Sequence, residues 1–104
     1  MTPAARRTLE ELASDEKCDL IRDGLHAYCG RRKVSTKTVS NLIRAVAIRE
    51  VAPSCGGSAR YYEITEMGRS YLRRPDLEWE YYDAILSRKG PFTVKDDRLV
   101  FDNS

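Results

Sequence analysis

The sequence predicts an α+β chain that is mostly helical, and three observations predict it. Apolar residues recur at i, i+3, i+4 and i+7 from Val39 to Val46, the spacing of one helix face. Capping residues stand ahead of several apolar segments, at Thr2, Ser35-Thr36, Thr65 and Asp76. One Gly-Gly pair, Gly56-Gly57, lies between segments rich in strand formers, which predicts a hairpin.

Taken in order, Thr2-Pro3 opens a first helix over residues 3–13, because Thr caps and Pro fits a first helical turn. Ala5, Leu9, Leu12 and Ala13 give it an apolar stripe. Asp15 or Asp19 starts a second helix that runs to Tyr28, with Cys18, Ile21, Leu25 and Tyr28 on one face. Gly24 weakens it and Cys29-Gly30 ends it. Arg31-Arg32-Lys33 then forms a basic loop, and Val34 returns to the core.

Ser35-Thr36 caps the most regular helix of the chain. Val39, Leu42, Ile43 and Val46 face the core, and Lys37, Asn41 and Arg44 cluster on the opposite side at about 100° per residue. Ile48 falls on that polar side, and Pro53 stops the helix from continuing. Val51 to Ile64 reads as a hairpin with its turn at Ser54–Ser58. Thr65 caps a short helix that Pro75 ends. Asp76 caps a helix over 77–88, whose Leu77, Tyr81, Ala84 and Ile85 are flanked by Trp79, Tyr82 and Leu86. Gly90-Pro91 closes it, and Phe92–Val94 and Leu99–Phe101 make a small terminal hairpin.

The 104 residues fit one domain with a short appendage, divided here as 1–75 and 76–104. No apolar run approaches the roughly 20 residues needed to cross a bilayer. No apolar run follows Arg6-Arg7 as it would in a secretory leader, so a cytoplasmic protein is expected. Cys18, Cys29 and Cys55 are odd in number and widely spaced, which favours reduced thiols over a disulfide framework. With His26 they would make a Cys₃His set, but no CxxC pair exists, so no metal and no cofactor are expected. His26 has no marked partner, and phosphate-binding or dinucleotide loops are absent, so no enzyme is expected.

Charge is sorted along the chain. Residues 31–74 hold ten basic and three acidic side chains, a net of +7, whereas residues 1–30 net −2 and residues 75–104 net −3. A basic segment of this kind suits a phosphate backbone.

Val34-Ser35-Thr36-Lys37-Thr38-Val39-Ser40-Asn41-Leu42-Ile43-Arg44 looks like a turn and recognition helix. Arg49–Pro53 looks like the lead into a wing, and Tyr61-Tyr62-Glu63-Ile64-Thr65-Glu66-Met67-Gly68 like the second wing strand and the next helix. On these residues the chain resembles the winged helix-turn-helix family. It departs in having Glu50 where Gly often precedes the first wing strand, and in the longer basic loop from Cys29 to Val34.

The resemblance implies a winged helix-turn-helix with a C-terminal helix and a small terminal β-hairpin. It implies a regulator of transcription on double-stranded DNA, in the cytoplasm and associated with the nucleoid. Recognition helix 36–48 would present Lys37, Thr38, Ser40, Asn41 and Arg44 to the major groove. Wing 52–64 would bring Arg60, while Arg31, Arg32 and Lys33 would hold phosphates. Trp79, Tyr82 and Leu86 would pair two copies as a homodimer. A protein–protein adaptor, or a virus- or plasmid-encoded inhibitor of a host machine, is the alternative, with RNA binding behind it.

Overall fold

The computed structural model describes residues 1–14, 20–51, 59–88 and 90–101. The described residues form four helices: α1 (Pro3–Ser14), α2 (Thr36–Arg44), α3 (Glu66–Arg73) and α4 (Leu77–Leu86). Strands β1 (Leu20–Asp23), β2 (His26–Cys29), β3 (Arg32–Val34), β4 (Ile48–Val51) and β5 (Arg60–Ile64) form one antiparallel sheet in the order β3-β2-β1-β5-β4. Strands β6 (Phe92–Lys95) and β7 (Arg98–Phe101) make a separate hairpin.

This corrects the fold expectation. Of the described residues 32% are strand and 44% helix, so this is not a mostly helical winged helix-turn-helix. The difference lies where a second helix was expected. Residues 20–34 are instead a three-stranded meander with two two-residue turns, Gly24-Leu25 and Gly30-Arg31. Gly24 and Gly30 sit at φ +60° and +62° as the first turn residue, where a two-residue hairpin of the II′ kind needs glycine. The residues that would start the expected helix, Asp15 and Asp19, lie outside the described residues, as does Cys18.

Alternation explains why the meander is stable as strand. Leu20, Ala27, Cys29 and Val34 point to one face and are buried, together with Tyr62 and Ile48. Helices α1, α2 and α3 pack on that face, with Leu9, Leu12, Val39, Leu42, Met67 and Tyr71 completing the core. Ile21, Tyr28, Lys33, Arg49, Tyr61 and Glu63 lie on the other face, exposed or half-buried.

The capping expectations hold at three of four positions. Thr2 Oγ1 accepts from the Ala5 amide at 3.2 Å, Ser35 Oγ from Lys37 at 3.1 Å, and Thr65 Oγ1 from Gly68 at 3.0 Å. Asp76 makes no side-chain cap, and α4 ends at Leu86 rather than at residue 88. The terminal hairpin forms as expected. Its turn residues Asp96 and Asp97 are both at positive φ, the backbone of a type I′ turn. Asp97 fastens the hairpin to α3 by accepting from Ser70 Oγ at 2.8 Å and Arg73 Nε at 2.9 Å. Phe92 packs edge-on to Tyr81 at 5.5 Å between ring centres. No described helix is long and apolar enough to cross a membrane.

Helix α2 is shorter than its expected 36–48. It ends in a Schellman motif, with Ala47 N–H bonded to Leu42 O and Val46 N–H to Ile43 O. Ile48 is therefore not on a helix; it is a buried residue opening β4. The buried stripe of α2 is Thr38, Val39 and Leu42, followed by Ala45, while Ile43 and Val46 are exposed, against expectation. Val46 occupies the left-handed position of the motif at φ 58°, where glycine is usual. For a β-branched residue that conformation costs about 1–2 kcal/mol. Val46→Gly is expected to stabilise the protein by about 1 kcal/mol, since the exposed side chain gives up little packing. Urea unfolding should show a higher midpoint at unchanged slope; a midpoint at or below wild type contradicts the strain.

Candidate nucleic-acid interface

Helix α2 turns one side to solvent. Lys37, Ser40 and Arg44 are exposed there, with Ile43 beside them. Asn41 is at the rim, half-buried, and lines a cleft of about 390 Å³ with Met1, Glu78 and Tyr82. Thr38 is only 7% exposed, on the buried stripe of α2 with Val39 and Leu42. The structure thus keeps Lys37, Ser40 and Arg44 together and withdraws Thr38 from the expected contact set.

The expected basic loop at Arg31-Arg32-Lys33 is a turn and a strand, which sends its three cations in different directions. Arg31 is in the β2–β3 turn, at the end of the sheet away from the start of α2. Lys33 is on the face of the sheet opposite the helices, paired in register with Tyr28. Arg32 is on the helix side and is taken: its Nε donates to Glu11 Oε1 at 3.0 Å and its Nη2 to Thr8 Oγ1 at 2.9 Å. That pairing ties β3 to α1 and leaves Arg32 no free fork for a phosphate.

Arg60 opens β5 and is exposed. It shares an end of the sheet with the β1–β2 turn, the end of β3 and hence the N-terminus of α2. In the β1–β5 register its partner is Arg22. The sequence reading missed Arg22 by placing it in a helix. The signal was Gly24-Leu25, glycine at the first of two turn positions between segments that alternate as strands. The hairpin tip itself, from Ala52 to Ser58 and including Cys55, lies outside the described residues.

Ion pairs divide the cations into two groups. Arg6, Arg7, Arg32, Arg49, Arg73 and Arg74 each contact a carboxylate. Among the described residues, Arg22, Arg31, Lys33, Lys37, Arg44, Arg60, Arg69, Arg88, Lys95 and Arg98 have no carboxylate within ion-pairing distance. Six of these ten fall in residues 31–74, the segment whose sequence is most basic, and Arg22 lies beside one of them in the sheet.

On α4, Trp79 is 75% and Leu86 84% exposed, and they share a side with half-buried Tyr82 at steps of three and four residues. Burial and Glu78 push the Tyr82 phenol above the usual tyrosine range, with Arg44 pulling the other way. Cys29 faces the core from β2 beside Glu11, and His26 is exposed on the other face of the sheet. Compared with family models, curated proteins and solved structures, the chain matches none.

The Glu11–Arg32 contact has a pH signature. The Arg32 hydrogen bond holds the Glu11 carboxyl below its ordinary value of 4.5. A depressed carboxyl stabilises the fold above its unfolded pKa, and that contribution fades as pH falls through the folded value. Between about pH 6 and about pH 3, Glu11→Gln should lose less stability than wild type does. Parallel pH dependence of Tm in the two proteins would show that the pair has no such coupling.

Proposed function

We propose that this protein binds double-stranded DNA and acts as a small transcriptional regulator, with the outer side of α2 as its principal contact. One observation carries the reading. Lys37, Ser40 and Arg44 stand exposed on one helix side, and neither cation has a carboxylate partner among the described residues. A helix with its side chains is about 10–12 Å across, which fits the roughly 12 Å width of the major groove. Arg44 suits the paired acceptors of guanine, Ser40 either partner of a base pair, and Ile43 the thymine methyl. Lys37 is in the first turn, where a helix terminus favours a phosphate. Such a protein works on the nucleoid.

Mobility shift over a random duplex pool at low salt tests this. Arg44→Ala is expected to weaken binding to the preferred sequence roughly 5- to 150-fold and relax one base preference. Lys37→Ala should weaken all sequences alike and flatten the salt slope by about 0.9. Arg98→Ala, on the terminal hairpin, should change neither. No retention at low salt contradicts the reading.

A homodimer through α4 accompanies this reading, and the exposure of Trp79 and Leu86 on one side of that helix favours it. Two-fold pairing would match a palindromic site. Sedimentation should give twice the chain mass for wild type and one chain mass for Trp79→Ala with Leu86→Ala. A monomeric wild type would leave that face to a different protein, as the adaptor reading requires.

A further inference from the structure

We infer that Arg22 and Arg60 form a two-arginine clamp for a phosphate group, at the end of the sheet where α2 begins. The two are direct cross-strand partners on β1 and β5. Directly paired residues send their side chains to the same face, here the face of Leu20 and Tyr62, one step beyond the core. Like charges placed opposite each other repel, so this pairing destabilises the empty protein. Among the described residues no carboxylate lies within ion-pairing distance of either arginine. Asp23 pairs in register with His26, its strand position alternating to the opposite face, while Glu50, opposite Tyr62, shares the face of Arg60 one diagonal step away and forms no ion pair with it.

The geometry fits an anion with diverging oxygens. Arg22 Nε donates to the Gly24 carbonyl oxygen at 3.4 Å, which sets the guanidinium beside the turn and leaves its terminal nitrogens available. Arg60 is exposed. The two arginines line an open cleft of about 440 Å³ with Gly24 and Asp23, so its lining carries two cations against one acid that pairs with neither. A carboxylate offers two coplanar oxygens to one fork. The non-bridging oxygens of a phosphate diverge from a tetrahedral centre, so two guanidiniums can each take a different one. Binding there turns a repulsive pair into two charge-assisted contacts.

The phosphate has two possible sources, a polynucleotide backbone or a small phosphate compound. Only assignment to the backbone rests on the duplex-binding reading; the clamp itself does not. Melting in inorganic phosphate and in chloride, at matched ionic strength, reads the clamp directly. Phosphate at about fivefold over its Kd should raise wild-type Tm by roughly 4–8 °C. It should give no such rise in Arg22→Gln or Arg60→Gln, and in chloride each substitution should itself raise Tm. Arg22→Lys keeps the charge but loses the fork, so it should keep the low Tm in chloride and lose most of the phosphate response.

Anisotropy of a short duplex reads the source. With a backbone source, Arg22→Gln flattens the salt slope by about 0.9. An unchanged slope, with the phosphate response lost in the variants, assigns the clamp to a small phosphate compound. Duplex binding absent in wild type, with its phosphate response intact, defeats the duplex reading and leaves the clamp standing. An equal phosphate response in wild type and both glutamine variants, or none in wild type, overturns the clamp.

Discussion

Three consecutive carbonyls, those of Ala45, Val46 and Ala47, hold the end of α2 against the start of α3, and the rest of the structure is built around that corner. The Tyr71 hydroxyl donates to Ala45 O at 2.7 Å, the Thr65 hydroxyl to Val46 O at 2.6 Å, and the Thr65 amide to Ala47 O at 3.0 Å. A helix C-terminus leaves its last carbonyls unpaired, and buried carbonyls are costly when unpaired. Here a neighbouring element satisfies them. Tyr71 is buried, and its phenol is held well above the usual tyrosine range by that burial and then by Glu78. It remains a neutral donor to Ala45 at any ordinary pH. Gly68 completes the corner: a Cβ there would run into Ala47 O and lie 2.8 Å from Ile64 Cγ1.

That corner sets the direction of α2 and therefore which residues it exposes. The chain must turn at once from the helix into β4, because Ile48 is buried opposite Ile64 in the sheet. A tight left-handed turn at Val46 achieves this despite the unfavourable residue. Once the C-terminus is fixed and Ser35 caps the N-terminus, the sheet claims Val39 and Leu42. Lys37, Ser40 and Arg44 are left outward. Packing at the corner thus positions the candidate contact side, without help from the charges on that side.

Much of the corner was legible in the sequence, and the sheet was not. Thr65 with glycine three residues on read as a cap into a packed helix, and Ser35 read as a cap; both are borne out. Residues 20–34 misled because both faces of the meander carry apolar residues. Leu20, Ala27 and Cys29 line the core, while Ile21 and Tyr28 lie opposite. Merged into one string, the two alternations mimic helical spacing, and the glycine at residue 24 then looks like a defect rather than a turn. The same error hid Arg22 and turned a strand into the basic loop that was to grip phosphate. Ile43 and Val46 were misassigned for a related reason. Helical spacing identifies a stripe, but the corner decides how far that stripe rotates.

Sorting of ion pairs links these layers to the proposed activity. Acidic residues on α1, α4 and the terminal hairpin pair with arginines that bind one element to another: Glu11 with Arg32, Glu80 with Arg74, Asp97 with Arg73. Those pairs use acids of the chain's flanks to hold α1 to β3, α4 to the end of α3, and the hairpin to α3. The central segment has few acids of its own, and Glu63 pairs with Arg49 across β4 and β5. Lys37, Arg44, Arg60 and Arg22 consequently keep their charge. The last two are forced side by side by strand register alone. Where acids are engaged in holding elements together and these four cations are left without a carboxylate partner among the described residues, a polyanion is the complementary charge.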